Sequence, residues 1–146
     1  MKGRHLGREI ALTTLYALDF NGQLVEGEFP KDLPAISDEE LQEIDSEALT
    51  FGRYLIQGTI ENLDEINGWI ERFSINRPLE RIDLIDRNIL RISVFQLLYL
   101  SDIHPNIVIT EAVQLSQEYS REVNYKFING ILDSMVKEKD GNIKKQ

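Results

Sequence analysis

Residues 82–98, IDLIDRNILRISVFQLL, constrain the fold more than any other stretch of this chain. Ile82, Ile85, Ile89 and Ile92 step by three, four and three residues, which places them on one face of an α-helix. Leu90, Val94, Leu97 and Leu98 make a second apolar face on the same helix. A helix that is apolar on most sides belongs at the centre of a fold, so the other segments must pack around it. Arg91 is its odd residue. Buried, a guanidinium needs a carboxylate, and Glu111 is the expected partner; the alternative is a snorkelling side chain whose head reaches water.

The remaining pattern is helical too. A first helix is expected from about residue 4 to 20, with Ala11, Leu15 and Leu18 on one stripe, Leu12 and Tyr16 beside it, and Asn21-Gly22 as its stop. Residues 21–37, rich in glycine, proline and acid, read as a loop. Ser37 stands three residues before Glu40, as a capping box requires, and helical pattern continues from there through Leu49, Tyr54, Ile56 and Ile60. A short helix covers Asp64 to Phe73, with Ile66, Trp69, Ile70 and Phe73 along it. Pro105 opens a helix whose stripe is Val108, Ala112, Leu115 and Tyr119. The last spans about 122–138, with Ile128, Ile131, Leu132 and Met135 inward. The expectation is one all-α domain over residues 1–138 and a polar tail over 139–146. Alternating β-branched runs joined by hairpin turns are absent from the sequence.

Composition narrows the chemistry. At 146 residues the chain is long enough for a self-sufficient core. It has no cysteine, which excludes disulfides and thiolate metal sites, and its two histidines, His5 and His104, fall far short of a zinc set. No apolar run approaches the ~18–20 residues of a membrane span, and the N-terminus lacks the apolar core of a secretion signal, so a cytoplasmic protein is expected. Asp83 and Asp86 sit one helical turn apart, but a solvated pair beside Arg87 is the better reading than a metal grip. There is no Gly-rich phosphate loop and no Ser-His-Asp set. A binding protein without catalytic residues, metal or cofactor is expected.

Charge is unevenly spread. The net charge is -9, and residues 21–50 alone set Lys31 against nine acidic residues. The opening MKGRHLGREI instead places Lys2, Arg4, His5 and Arg8 ahead of the first acidic residue. A local basic patch, rather than net charge, decides whether a polyanion binds. The tip therefore reads as an RNA arm, held away from the acidic segment 26–47, which would confine RNA to the opposite side. The stretch NYKFINGILDSMV adds Lys126 and Phe127 near a helix start, where free N–H groups attract phosphate and an aromatic ring can stack an unpaired base; ordinary core packing is the competing reading for Phe127. Gly130 costs ~1 kcal/mol in mid-helix, so close approach of another helix is expected there, with Asn129 hydrogen-bonded to a neighbouring loop.

Three segments in order, LERIDLIDRNILRISVFQLLYLSDI, ITEAVQLSQEYS and YKFINGILD, resemble the NusB family of bacterial transcription antitermination factors. The resemblance covers about residues 4–136, and the arm before REIALTTLYALDF falls where that family carries its arginine-rich motif. It implies an all-helical fold of two small helical bundles packed together, about seven helices in all. It also implies binding to the single-stranded boxA element of nascent ribosomal RNA, together with the small-subunit ribosomal protein NusE, within the RNA polymerase antitermination complex. By position, the RNA surface is Arg4, His5, Arg8, Lys126 and Phe127, and the protein-partner face includes Tyr16 and Asp86. The arm reads RHLGR where relatives often show a near-continuous arginine run. The usual Asp-Ile-Pro turn has its proline displaced to Pro105, and Thr110 replaces a common asparagine. Two other readings share these residues: a NusB-like module of a ribosomal RNA methyltransferase, disfavoured because the chain ends ten residues beyond the last helical pattern, and a protein–protein adaptor with weakened RNA contact.

Overall fold

The computed structural model describes residues 2–34 and 36–144. The side chains of Lys2 and of residues 141–144, and residues 145–146 of the expected tail, lie outside what is described. Seven α-helices are present among the described residues, with no strand: α1 (Lys2–Phe20), α2 (Asp38–Glu43), α3 (Ser46–Glu61), α4 (Leu63–Phe73), α5 (Leu84–Tyr99), α6 (Pro105–Tyr119) and α7 (Tyr125–Lys144). A 3-10 turn, Leu79–Arg81, leads from Pro78 into α5.

The central role of α5 follows from its two apolar faces. It touches α1, α3, α4, α6 and α7, and Ile89, Leu90, Ile92 and Val94 are fully buried in a core to which every one of those helices contributes. Leu97 and Leu98, expected inside, are only half-buried, because the helix is emerging from the core at that end. α1 runs antiparallel along α5: Arg8 meets Gln96 near one end and Asp19 meets Arg87 near the other.

Local signals explain the boundaries. Gly22, at φ 69°, takes the left-handed conformation that ends α1, and the Gln23 N–H closes the turn on the Leu18 carbonyl at 2.8 Å. The Ser37 hydroxyl accepts from the Glu40 N–H at 3.2 Å, as the capping pattern predicts. The expected continuous helix from there to Ile60 is instead two. Asp45 breaks it by turning its carboxylate onto the Ala48 N–H at 3.2 Å, capping α3 afresh. His104 caps α6 through Nδ1, which accepts from the Asn106 N–H at 3.1 Å, with Pro105 in the first turn. α7 continues to Lys144, well past the expected end near 138. Lys139 donates to the Leu97 carbonyl at 2.7 Å, tying that extension to α5.

Three further expectations are corrected. Arg91 is buried, but its carboxylate is Asp19, at 2.7 Å, with Asn88 and Asn67 each accepting at 2.9 Å; Glu111 lies elsewhere. Asp19 ends α1 alongside the start of α5 and accepts also from Arg87 at 2.7 and 2.9 Å and from Asn88 at 3.0 Å. Gly130 is exposed, and a Cβ there would meet nothing within 4 Å, so no helix approaches it; Asn129 beside it is exposed as well. The close approach is at Gly58, where a Cβ would lie 2.0 Å from the Phe95 ring. Tyr119, expected inward, is exposed at the end of α6 and donates its hydroxyl proton to Glu9.

Candidate functional site

The residues proposed for RNA fall into two groups at opposite ends of α5. Arg4, His5 and Arg8 occupy the first turns of α1, beside Leu100 and Asp102 after the C-terminal end of α5. Lys126 and Phe127 open α7, where Asn124 reaches Asp83 and Asp86 at the N-terminal end of α5, at 3.0 and 2.7 Å. α5 itself is 16 residues long, about 24 Å at ~1.5 Å rise per residue, and no hydrogen bond or ion pair among the described residues joins the two groups. The structure does not bring them together into one patch.

At the first end the basic tip is a helix rather than a loose arm. Arg8 is 3% exposed; its Nε donates to Gln96 at 3.0 Å and its Nη1 lies 3.9 Å from Glu111. Burial pulls its pKa down, partly offset by Glu111. Its assignment to an RNA surface is therefore corrected: a guanidinium buried between α1, α5 and α6 is a packing and hydrogen-bonding group. His5 is half-buried among carboxylates, with Nδ1 2.8 Å from Glu111 and Nε2 facing Glu9 and Glu118. The Glu111 hydrogen bond raises its pKa, against the effect of burial. Arg4 differs: its guanidinium stacks 4.3 Å from the Phe51 ring centroid beside the mouth of a surface groove lined by Glu47, Thr50 and Tyr54.

The acidic segment is not on the far side, as expected from charge alone. Gly3 packs beside Asp45 and Glu47, whose atoms would lie 3.4 and 3.5 Å from a Cβ there. The reason is the packing of α1 against α3: Gly7 and Gly52 let the helices approach, and that brings the α3 N-terminus, with its acidic cap, alongside the α1 N-terminus. A basic tip flanked by carboxylates projects a much smaller positive field than its sequence suggests.

At the second end, Lys126 is exposed and Phe127 half-buried against the core. The Lys126 and Phe127 N–H groups are used by the preceding turn, on the Val123 and Asn124 carbonyls at 3.3 and 3.1 Å, so they are not free to hold phosphate. The Arg77 guanidinium sits 4.6 Å from the Phe127 ring centroid. Sequence reasoning missed Arg77, because the loop that carries it has no periodicity linking it to α7; Asn76 at φ 70° helps turn it. A cation and an aromatic ring side by side on an exposed rim can hold a phosphate and a base together.

The two partner-face residues share this end but differ in character. Tyr16 is half-buried and stacks on Phe20, with centroids 6.2 Å apart, and it lines an almost wholly apolar groove with Leu12, Ala17, Ile85 and Tyr119. Asp86 is 0% exposed, so its assignment to a contact face is corrected: it is a buried acceptor for Asn124. Burial raises its pKa, and its Oδ1 has no partner among the described residues.

The described residues form an all-helical fold built round one apolar helix, with an open apolar groove beside it. The NusB family model matches residues 5–137, and the chain belongs to the NusB family. It is 38% identical to the transcription antitermination protein NusB of Myxococcus xanthus, over 93% of this chain and 96% of that one. It is 34% identical to that of Thermodesulfovibrio yellowstonii, over 92% of each. Among solved structures it is similar to T. maritima NusB, with TM-score 0.78 and 33% identity over 92% of this chain and 91% of that one. It is likewise similar to a chain of a crystal structure of antitermination factors NusB and NusE in complex with dsRNA, with TM-score 0.78 and 28% identity over 94% of this chain and 98% of that one. No helix among the described residues is long and apolar enough to cross a membrane.

Proposed function

We propose that this protein is a cytoplasmic, non-enzymatic antitermination factor. It binds the boxA element of nascent ribosomal RNA together with the ribosomal protein NusE and joins the RNA polymerase antitermination complex through residues 1–138. The observation that carries this reading is the likeness, over nearly the whole chain, to a protein solved with NusE and RNA. RNA contact is made by Arg4 at one end of α5 and by Lys126, Phe127 and Arg77 at the other. NusE occupies the apolar groove at Tyr16, where burial of an aromatic-lined surface supplies binding energy that the surrounding charge does not.

Calorimetric titration with NusE tests the partner half. Tyr16→Ala should weaken NusE binding at least tenfold while the circular dichroism spectrum is unchanged. Unchanged affinity in that variant removes the groove from the proposal. The enclosure of His5 and Arg8 favours the adaptor reading as the one competitor, in which NusE binds and RNA does not.

A further inference from the structure

His5 lies at the centre of a cluster of three carboxylates, Glu9, Glu111 and Glu118. Its Nε2 is 3.6 Å from Glu9 Oε1 and 3.4 Å from Glu118 Oε2, and the three donor atoms all lie within 4.8 Å of one another. Its Nδ1 is 2.8 Å from Glu111 Oε2. A carboxylate oxygen only accepts, so Nδ1 carries the proton of that bond. In the neutral imidazole, Nε2 then presents a lone pair to two carboxylate oxygens.

We infer that His5 Nε2, Glu9 and Glu118 form a binding site for a divalent first-row transition cation, bridging α1 and α6. Three observations point there. Ligand atoms held about 2.0–2.2 Å from one tetrahedral ion lie about 3.3–3.6 Å apart, and both nitrogen–oxygen separations fall in that range. The carboxylate behind the imidazole, Glu111, fixes ring and tautomer in the arrangement that metal-bound histidines use. The charges also balance: among the described residues, Glu9, Glu111 and Glu118 have one guanidinium in contact, Arg8 on Glu111, which leaves two negative charges beside a neutral imidazole. Tyr119 steadies the site from outside by donating to the second oxygen of Glu9. One imidazole with two carboxylates suits zinc or manganese, with water completing the coordination. Position alone could not reveal the site, because its ligands are His5 and Glu9, one turn apart on α1, and Glu118 more than a hundred residues on.

Zinc titration of the chelator-stripped, full-length protein by calorimetry tests this. One zinc per chain is expected, with binding abolished by His5→Ala and weakened at least tenfold by Glu118→Gln. Glu111→Gln should weaken it by about 10–100-fold through loss of the orienting bond. Circular dichroism on each variant checks that the helices persist. Long-range proton–nitrogen NMR of the zinc-saturated protein should show His5 with a proton on Nδ1 and none on Nε2. Absence of uptake at millimolar zinc overturns the inference. So does uptake that survives His5→Ala, or an imidazole protonated on both nitrogens in the zinc-treated protein.

Discussion

Replacing Asp19 by alanine tests the most heavily connected polar group in the core. Its carboxylate accepts from Arg87, Arg91 and Asn88, and it is the only carboxylate in contact with Arg91 among the described residues. Arg91 is 5% exposed and its other partners, Asn67 and Asn88, are neutral. Breaking a buried pair from one side strands a charge and costs about 3–5 kcal/mol. For a chain of this length that is a large part of the ~5–15 kcal/mol total, and it lowers Tm by roughly 6–20 °C. Arg87, at the rim, can turn to solvent and adds little. The double variant Asp19→Leu, Arg91→Met should recover most of the loss, because neither charge then needs desolvation. Urea denaturation followed by circular dichroism measures both. A loss below about 1 kcal/mol for Asp19→Ala, the value of a surface pair, refutes the reasoning.

Two glycines make a paired test: Gly58→Ala forces a methyl group into the Phe95 ring and should destabilise by about 1–3 kcal/mol, whereas Gly130→Ala meets open space and should stabilise by about 1 kcal/mol. Equal effects in thermal melts would contradict the packing described. Half-buried Asp19 and buried Asp86 should shape acid stability with opposite sign. Burial disfavours ionised Asp19, but bonds from Arg87, Arg91 and Asn88 outweigh it and hold its pKa low. Its contribution is thus present above the unfolded value of ~3.9 and lost as pH falls through the folded one. Asp86 is held high by burial, so its contribution is present below ~3.9 and lost as pH rises through its folded value. In urea midpoints from pH 3 to 7, Asp19→Asn should flatten the curve below about pH 4 and Asp86→Asn above it.

The helices were legible because their apolar spacing is strong. Ile89, Leu90 and Ile92 could be placed at the centre from the sequence alone, and α5 proved to be the element the others share. What failed was partnership. Arg91 required a carboxylate, but nothing in the spacing distinguishes Asp19 from Glu111; only the antiparallel packing of α1 on α5 selects it. Gly130 and Gly58 are equally unusual as mid-helix glycines, and the ring that demands one of them, Phe95, is 37 residues further along. Arg8 looked like a surface cation because it sits near a terminus, yet α1 is helical from Lys2 and points that side chain inward. The acidic segment appeared remote for a similar reason. Residues 45–47 are distant from Gly3 in sequence, and small residues in α1 and α3 bring them beside it.

The central claim is RNA binding by a surface split across the two ends of α5. Fluorescence anisotropy with a boxA-like single strand, NusE present, tests it most directly when repeated from ~50 to ~200 mM salt. If Arg4, Arg77 and Lys126 each neutralise one phosphate, the slope of log K against log salt is about -2, or 16- to 20-fold weaker binding across that range. Arg4→Ala and Lys126→Ala should each flatten the slope by about 0.7, while Arg8→Ala, buried, leaves it unchanged. Phe127→Ala should cost roughly 1–3 kcal/mol of binding at constant slope. Binding no tighter than to an unrelated single strand, with the slope indifferent to Arg4 and Lys126, would contradict the account.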